Sequence, residues 1–360
     1  MKKTYLLILL LSICACGKDD PKMPMVDPPV TTQPPTTTSP TTSTPSAPTE
    51  EEQKEQLETH LVGKWDFTAS TKNTSCSVAE IQFFANRLYS LKLSKNEGES
   101  VLYRGKFDLA YRSENDSLKV DKMVLMDNDY VSNGSLPDQG SIATLTELQL
   151  GESSLQLHLQ LGSNTVDFCG EPASQNLDGT KAEDIAAGAA EGSNHFLIQQ
   201  EWRWVGLFDV GEGDRSPETP HQNLCDYLAE GFNKRCRDQN GELIENCHQT
   251  GSVTVLYSAY GTVMVSYFNP QGELFYARQD YWRWKEDTTN PYSALEFRLE
   301  NQTFEETAVT RHIIDVTENS LSLQISGVYV DDDGIEHPWT VQDSFILSSA
   351  EYSPCPAIDE

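Results

Sequence analysis

From about residue 57 onward, apolar and polar side chains alternate with period two, the pattern of strands that turn one face to a core and the other to water. Tyr89, Leu91 and Leu93 precede a turn near Asn96 to Gly98, and Tyr103, Phe107, Leu109 and Tyr111 follow it. Val263, Val265 and Tyr267 precede a second turn at Asn269 to Gly272, and Tyr276, Trp282 and Trp284 follow. The two hairpins are of one design. Ile81 and Phe83 recur as Val255 and Tyr257, 174 residues on, while Leu155, Leu157 and Leu159 recur as Leu321, Leu323 and Ile325 at an offset of 166. Several strands matched in the same order indicate one β domain duplicated.

The pattern predicts a mainly β chain: two tandem antiparallel domains, each a barrel or a sandwich, with closure into a barrel removing exposed strand edges. A soft segment, Glu171 to Asn194, is rich in Gly, Ala, Asn and Asp and reads as an interdomain connection. The expected division is therefore a first β domain over 57–170, a linker over 171–195 and a second β domain over 196–360. Thr49 as N-cap, with Glu50, Glu51 and Glu52 after it, predicts a short helix ending near His60.

Ahead of that helix the alternation is absent. Pro, Thr and Ser fill 21 of the 29 positions from Pro21 to Thr49, so the tract has almost nothing to bury and is expected to remain a disordered stalk. In polyproline II geometry it would reach about 90 Å, at roughly 3.1 Å per residue. Lys2 and Lys3 followed by the apolar run Leu6 to Ile13 read as a signal peptide, too short to span a bilayer.

Composition narrows the classes. A formal charge of −29, with no basic stripe, excludes nucleic acid as a main partner. Hydrophobic residues at 38% suit globular domains, not a polytopic membrane protein.

Ile13, Cys14, Ala15 and Cys16 resemble the lipobox of bacterial lipoproteins, which places signal peptide cleavage after residue 15 and a thioether-linked diacylglycerol on Cys16. Residues 16–56 would then form the lipidated anchor, the stalk and the short helix. Gly17 after that cysteine implies the outer membrane, and Lys18, Asp19 and Asp20 resemble a tag for surface exposure. Leu61, Gly63, Lys64 and Trp65 resemble the opening strand of lipocalin-like barrels, although the second domain offers Gln200, Glu201 and Trp202, without the glycine.

With Cys14 lost and Cys16 acylated, six cysteines remain, suited to three disulfides in an oxidising compartment. The repeat pairs Cys76 with Cys169 and Cys247 with Cys355, leaving Cys225 and Cys236 for a local loop. Zinc on Cys225, Cys236, Cys247, His221 and His248 is the competing reading, though their spacing is not that of common zinc modules. Calcium on Asp331, Asp332, Asp333 and Glu336, or more weakly on Asp127, Asn128 and Asp129, competes with plain turns. No metal site is assigned and no cofactor is expected.

No nucleophile elbow, zinc-protease helix, phosphate loop or dinucleotide fingerprint is present in the sequence. The seven histidines are scattered, and carboxylate pairs are too common in so acidic a chain to be diagnostic. The second domain is rich in aromatics, and Trp202, Trp204, Tyr276, Trp282 and Trp284 are the candidate ligand-binding residues. Trp282 and Trp284 share a strand face that excludes Tyr281. The expectation is a non-catalytic, membrane-anchored envelope protein with a binding or structural role toward a glycan, lipid or protein ligand. A β-rich hydrolase or inhibitor acting on envelope polymers is the alternative.

Overall fold

The computed structural model describes residues 48–68, 76–95, 98–115, 117–127, 141–170, 174–209, 220–236, 247–299, 302–307, 309–330 and 336–358. The lipobox-like residues 13–16, the Pro/Thr tract up to residue 47, Asn128, Asp129 and the acidic residues 331–335 lie outside the described residues.

In the first half, α1 (Glu50–Leu61) leads into β1 (Gly63–Thr68), β2 (Ser77–Phe83), β3 (Leu88–Ser94), β4 (Ser100–Glu114), β5 (Ser117–Asp127), β6 (Ser141–Leu150), β7 (Ser154–Leu161), the short helix α2 (Val166–Cys169) and β8 (Ser174–Lys181). In the second, α3 (Asn194–Ile198) leads into β9 (Glu201–Asp209), α4 (Pro220–Tyr227), β10 (Ser252–Tyr257), β11 (Thr262–Phe268), β12 (Leu274–Trp284) and β13 (Ala294–Arg298). The chain continues through α5 (Phe304–Thr307), β14 (Val309–Val316), β15 (Ser320–Val330) and β16 (Glu336–Leu347). Each half closes into an antiparallel barrel of eight strands, in which every strand pairs with the next and the last with the first. Both domains are barrels, in the up-and-down order of lipocalin-like folds.

The period-two pattern explains the filling. Leu155, Leu157, Leu159 and Leu161 of β7 are buried on one face while their neighbours face solvent. Together with Trp65, Ile81, Phe83, Tyr89, Leu91 and the rest of the inward set they form one continuous apolar core. Thr49 caps α1 through the Glu52 backbone N–H, and the Glu52 carboxylate returns the bond to the Thr49 N–H.

β8 corrects the expected boundary, because the first barrel runs to Lys181 and the connection shrinks to 182–193. Its sequence, Ser-Gln-Asn-Leu-Asp-Gly-Thr-Lys, reads as a turn. Closure supplies it with backbone partners on both sides, β1 and β7, so it forms a strand without a hydrophobic stripe. Gly179 is needed there: a β-carbon would sit 2.6 Å from the Phe67 ring that fills the barrel beside it.

The duplication extends to a detail that the sequence hides. The Trp65 indole N–H donates to the Leu61 carbonyl at 2.9 Å, and the Trp202 N–H donates to the Ile198 carbonyl at the same distance. In each barrel a helix therefore hands its last carbonyl to a fully buried tryptophan at the closed end. Gln200 stands where the first barrel has Gly63, and the arrangement survives without the glycine.

The barrels pack against each other. Phe84 and Leu88 of the first join Leu256, Met264, Leu274 and Ala277 of the second in one buried cluster. Thr262 Oγ1 donates to Gln82 Oε1 at 2.7 Å, and Asn86 Nδ2 donates to Glu201 Oε1 at 2.7 Å. The connecting segment is fastened to the second barrel, where the Ile185 N–H donates to the Ala259 carbonyl at 2.9 Å.

Of the expected disulfides, Cys76–Cys169 is present, tying the segment before β2 to α2 across the far end of the first barrel. The other two are corrected to Cys225–Cys355 and Cys236–Cys247. The repeat misled here because α4 belongs to an insertion that the first barrel lacks. It packs Leu224, Cys225 and Leu228 against Val253, Tyr267 and Cys355, which brings Cys225 to the C-terminal tail. The zinc reading loses its three thiolates to these bonds.

Candidate functional site: the interior of the second barrel

Antiparallel order decides where the five aromatic candidates fall. β9 rises from the closed end, so Trp202 lies at the base and Trp204 above it; β12 descends, so Tyr276 is at the open end and Trp282 and Trp284 are near the base. The five therefore form two groups and not one platform. Trp202 and Trp282 are core, and the Trp282 N–H is shared between the Ser258 and Thr262 carbonyls at 3.1 and 3.0 Å. Trp284 donates to Nδ1 of the buried His195 at 3.0 Å. That leaves Nε2–H of His195 to donate to Asp184 at 2.8 Å, which clamps the interdomain segment onto the barrel base. These residues are spent on structure.

The remaining interior departs from the first barrel. Residues directly opposite each other across a strand pair share a face. Val263 opposes Asp280, Val265 opposes Arg278 and Tyr267 opposes Tyr276; Leu295 opposes Arg311, and Leu323 opposes Asp343. Val263, Leu295 and Leu323 are core, so Asp280, Arg311 and Asp343 point inward with them. In the first barrel, Gly105 opposes Tyr89, Tyr103 opposes Leu91, Leu145 opposes Met123, and Leu177 opposes Leu157. At matched registers, Arg278, Asp280, Arg311 and Asp343 thus stand where the first barrel has Tyr103, Gly105, Leu145 and Leu177.

The four charges form two pairs. Arg278 Nη2 lies 2.8 Å from Asp280 Oδ2, and Arg311 Nη1 lies 3.1 Å from Asp343 Oδ2. Burial pushes both carboxyls above the usual aspartate range, against the opposing pull of Arg278 on Asp280 and of Arg311 on Asp343. Burial works against the Arg278 charge, yet Tyr267 and Asp280 together hold its pKa above the ordinary value. The Trp204 side chain also helps keep Asp343 ionised, and the Arg311 guanidinium sits 5.1 Å from the centre of the Phe297 ring. Tyr257 and Tyr227 titrate above the usual phenol range through burial, both within the field of Arg311 and Asp343.

The open end is reached by water. Tyr276 is 44% exposed and the Arg278 side chain 41%, although both belong to the inward face. The β9–β10 connection is long, residues 210–251 against 69–76 in the first barrel, and its α4 packs at this end against Val253 and Tyr267. Its α4 directs Tyr227 to within 5.6 Å of the Trp204 ring, edge-on, and its fixed points are the Cys225–Cys355 and Cys236–Cys247 disulfides.

Sequence reasoning singled out Tyr276, Trp282 and Trp284 of β12 and passed over Arg278 and Asp280 between them. The signal was present: two charges in the apolar phase of an alternating strand. Arg311 and Asp343 carry the same signal, interrupting the inward series of β14 and β16.

No protein-family model matches the chain, and no curated protein is similar to it. Among solved structures, a protein of unknown function from the DUF3598 family of Nostoc punctiforme is similar over 80% of this chain and 97% of that one, at 12% identity and a TM-score of 0.20. Transferrin-binding protein B of Haemophilus parasuis, a vaccine antigen, is similar over 80% of this chain at 10% identity and a TM-score of 0.18; the chain spans 59% of its length. At such scores neither neighbour bears on ligand or role.

Proposed function

We propose that this chain is a lipid-anchored protein of the bacterial cell envelope whose second barrel binds a small ligand without converting it. The first barrel and the stalk then serve to present that site. One observation carries the reading: at matched positions an apolar interior is exchanged for two arginine–aspartate pairs, in a barrel whose inward-facing Tyr276 and Arg278 meet solvent. Each aspartate of the cluster is committed to an arginine, which favours hydrogen-bonded recognition over acid–base chemistry. The lipobox-like Cys14-Ala15-Cys16 and the Pro/Thr tract supply the anchor and the reach, at the outer membrane on its periplasmic or outer face.

Two measurements test it. Labelled palmitate should enter the wild-type chain and leave the Cys16→Ser variant unlabelled and in the detergent-free supernatant. Native mass spectrometry of protein purified from envelopes should find a small molecule that denaturation releases and that an Arg311→Leu/Asp343→Leu variant does not retain. A wild-type chain that is soluble and free of fatty acid would defeat the anchoring half. Turnover of a bound molecule would defeat the non-catalytic half.

A further inference from the structure

Among the described side chains, the charges inside the second barrel balance. Two arginines face two aspartates, so the cluster has no net charge, within a chain of formal charge −29. An anionic ligand would find no excess of positive charge there and would be opposed by the field of the whole molecule. A hydrocarbon chain would strip water from ionised groups and return no hydrogen bonds.

What the site offers is hydrogen bonding in both senses. Arg278 and Arg311 each direct a terminal nitrogen to an aspartate, and each keeps a buried Nε–H that no acceptor reaches among the described residues. Beside Arg278 the Tyr267 and Tyr276 rings, 5.5 Å apart and inclined at 39° to each other, line the open end, and the Tyr276 ring is the exposed one. Donors and acceptors in fixed positions next to an aromatic face match a ring that carries hydroxyls on its edge and C–H groups on its face.

We infer that the ligand of the second barrel is a neutral, hydroxyl-rich molecule of saccharide type, held at the open end by Arg278 and Tyr276. The inference rests on the binding role proposed above and adds the chemical class. Arg278 supplies the fork of donors and Tyr276 the stacking face.

Calorimetric titration of the full-length protein in detergent tests it, with chitobiose, maltotriose, mannotriose and lactose as neutral probes and sialyllactose and palmitate as counter-probes. The expected result is saturable binding of at least one neutral saccharide. It should weaken at least tenfold in Tyr276→Ala, whose substantially exposed side chain leaves the thermal midpoint unchanged, and in Arg278→Met, whose midpoint falls because the buried Asp280 loses its partner. Arg278→Lys should weaken it too, since the charge remains and the planar fork is lost. Saccharide binding indifferent to these variants, or binding by none of the neutral probes, overturns the inference. Preferential binding of palmitate or sialyllactose overturns the ligand class and leaves the binding role standing. Failure of every probe, with nothing co-purified, defeats both.

Discussion

The two barrels are built alike and filled differently. Both have eight strands in the same order, the same helix-to-tryptophan bond at the base and matched registers through their central strands. The first closes around leucine, phenylalanine and one tryptophan, and its far end is tied by Cys76–Cys169. The second places Arg311 and Asp343 where the first has Leu145 and Leu177. Folding alone does not ask for this, since the first barrel closes without it. A buried ion pair recovers its desolvation cost only with good geometry, and it is often no more stable than an apolar pair of similar volume. The difference between the barrels is therefore the observation on which the proposed binding role rests.

The strongest way to break this comparison is to remove one partner of a pair. Arg311→Met leaves the Asp343 carboxylate buried and uncompensated, with an expected loss of about 3–5 kcal/mol. Urea unfolding followed by tryptophan fluorescence reports on the right half, because five of the six tryptophans lie in it. The sign of the pH dependence follows from the raised pKa of Asp343, whose burial favours the protonated form. A carboxyl raised in the folded state favours folding below its unfolded pKa and loses that contribution as pH rises through the folded value. Without Arg311 the folded value climbs further, so the deficit of the variant should shrink as pH falls from 7 toward the carboxylate range. A deficit that grows on acidification would show that Arg311 does not hold Asp343 ionised.

What the sequence disclosed and what it concealed divide along the same line. The alternation in β2, β3, β4 and β7 and its recurrence in the second half were legible, because period-two burial is a local property of each strand. β8 was not, since Gln175, Leu177 and Gly179 become a strand only when β1 and β7 flank them. The Cys225–Cys355 bond was hidden because α4 is an insertion, and its packing against Val253 and Tyr267 is a tertiary fact. Of the site, Tyr276 and Trp204 were legible as aromatics. The charges were overlooked because in an acidic chain an aspartate invites no comment until its register places it opposite a core leucine.

A milder change sharpens the comparison. Arg311→Leu with Asp343→Leu gives the second barrel the side chains that the first already has at those positions. The expected outcome is unchanged stability or a gain of up to about 1–4 kcal/mol, with loss of any co-purified ligand. The same urea transition checks the first half of this and native mass spectrometry the second. A variant that fails to fold, or that keeps its ligand, would mean that the pair is part of the architecture and that the barrels differ for structural reasons.

The smallest effect concerns the joint that holds the two barrels together. Gln279 lies on the outward face of β12, two residues from Ala277, which packs against Phe84 and Leu88 of the first barrel. It is fully buried, and among the described residues neither its Oε1 nor its Nε2 has a partner. An unpaired buried amide is a net cost, so Gln279→Met, which fills similar space without polar atoms, should stabilise the chain by about 1 kcal/mol. Scanning calorimetry would register this as a rise in the midpoint of roughly 2 °C. A fall instead would mean that ordered water pairs with the amide at the joint, and that the barrels meet across a wet seam rather than a dry one.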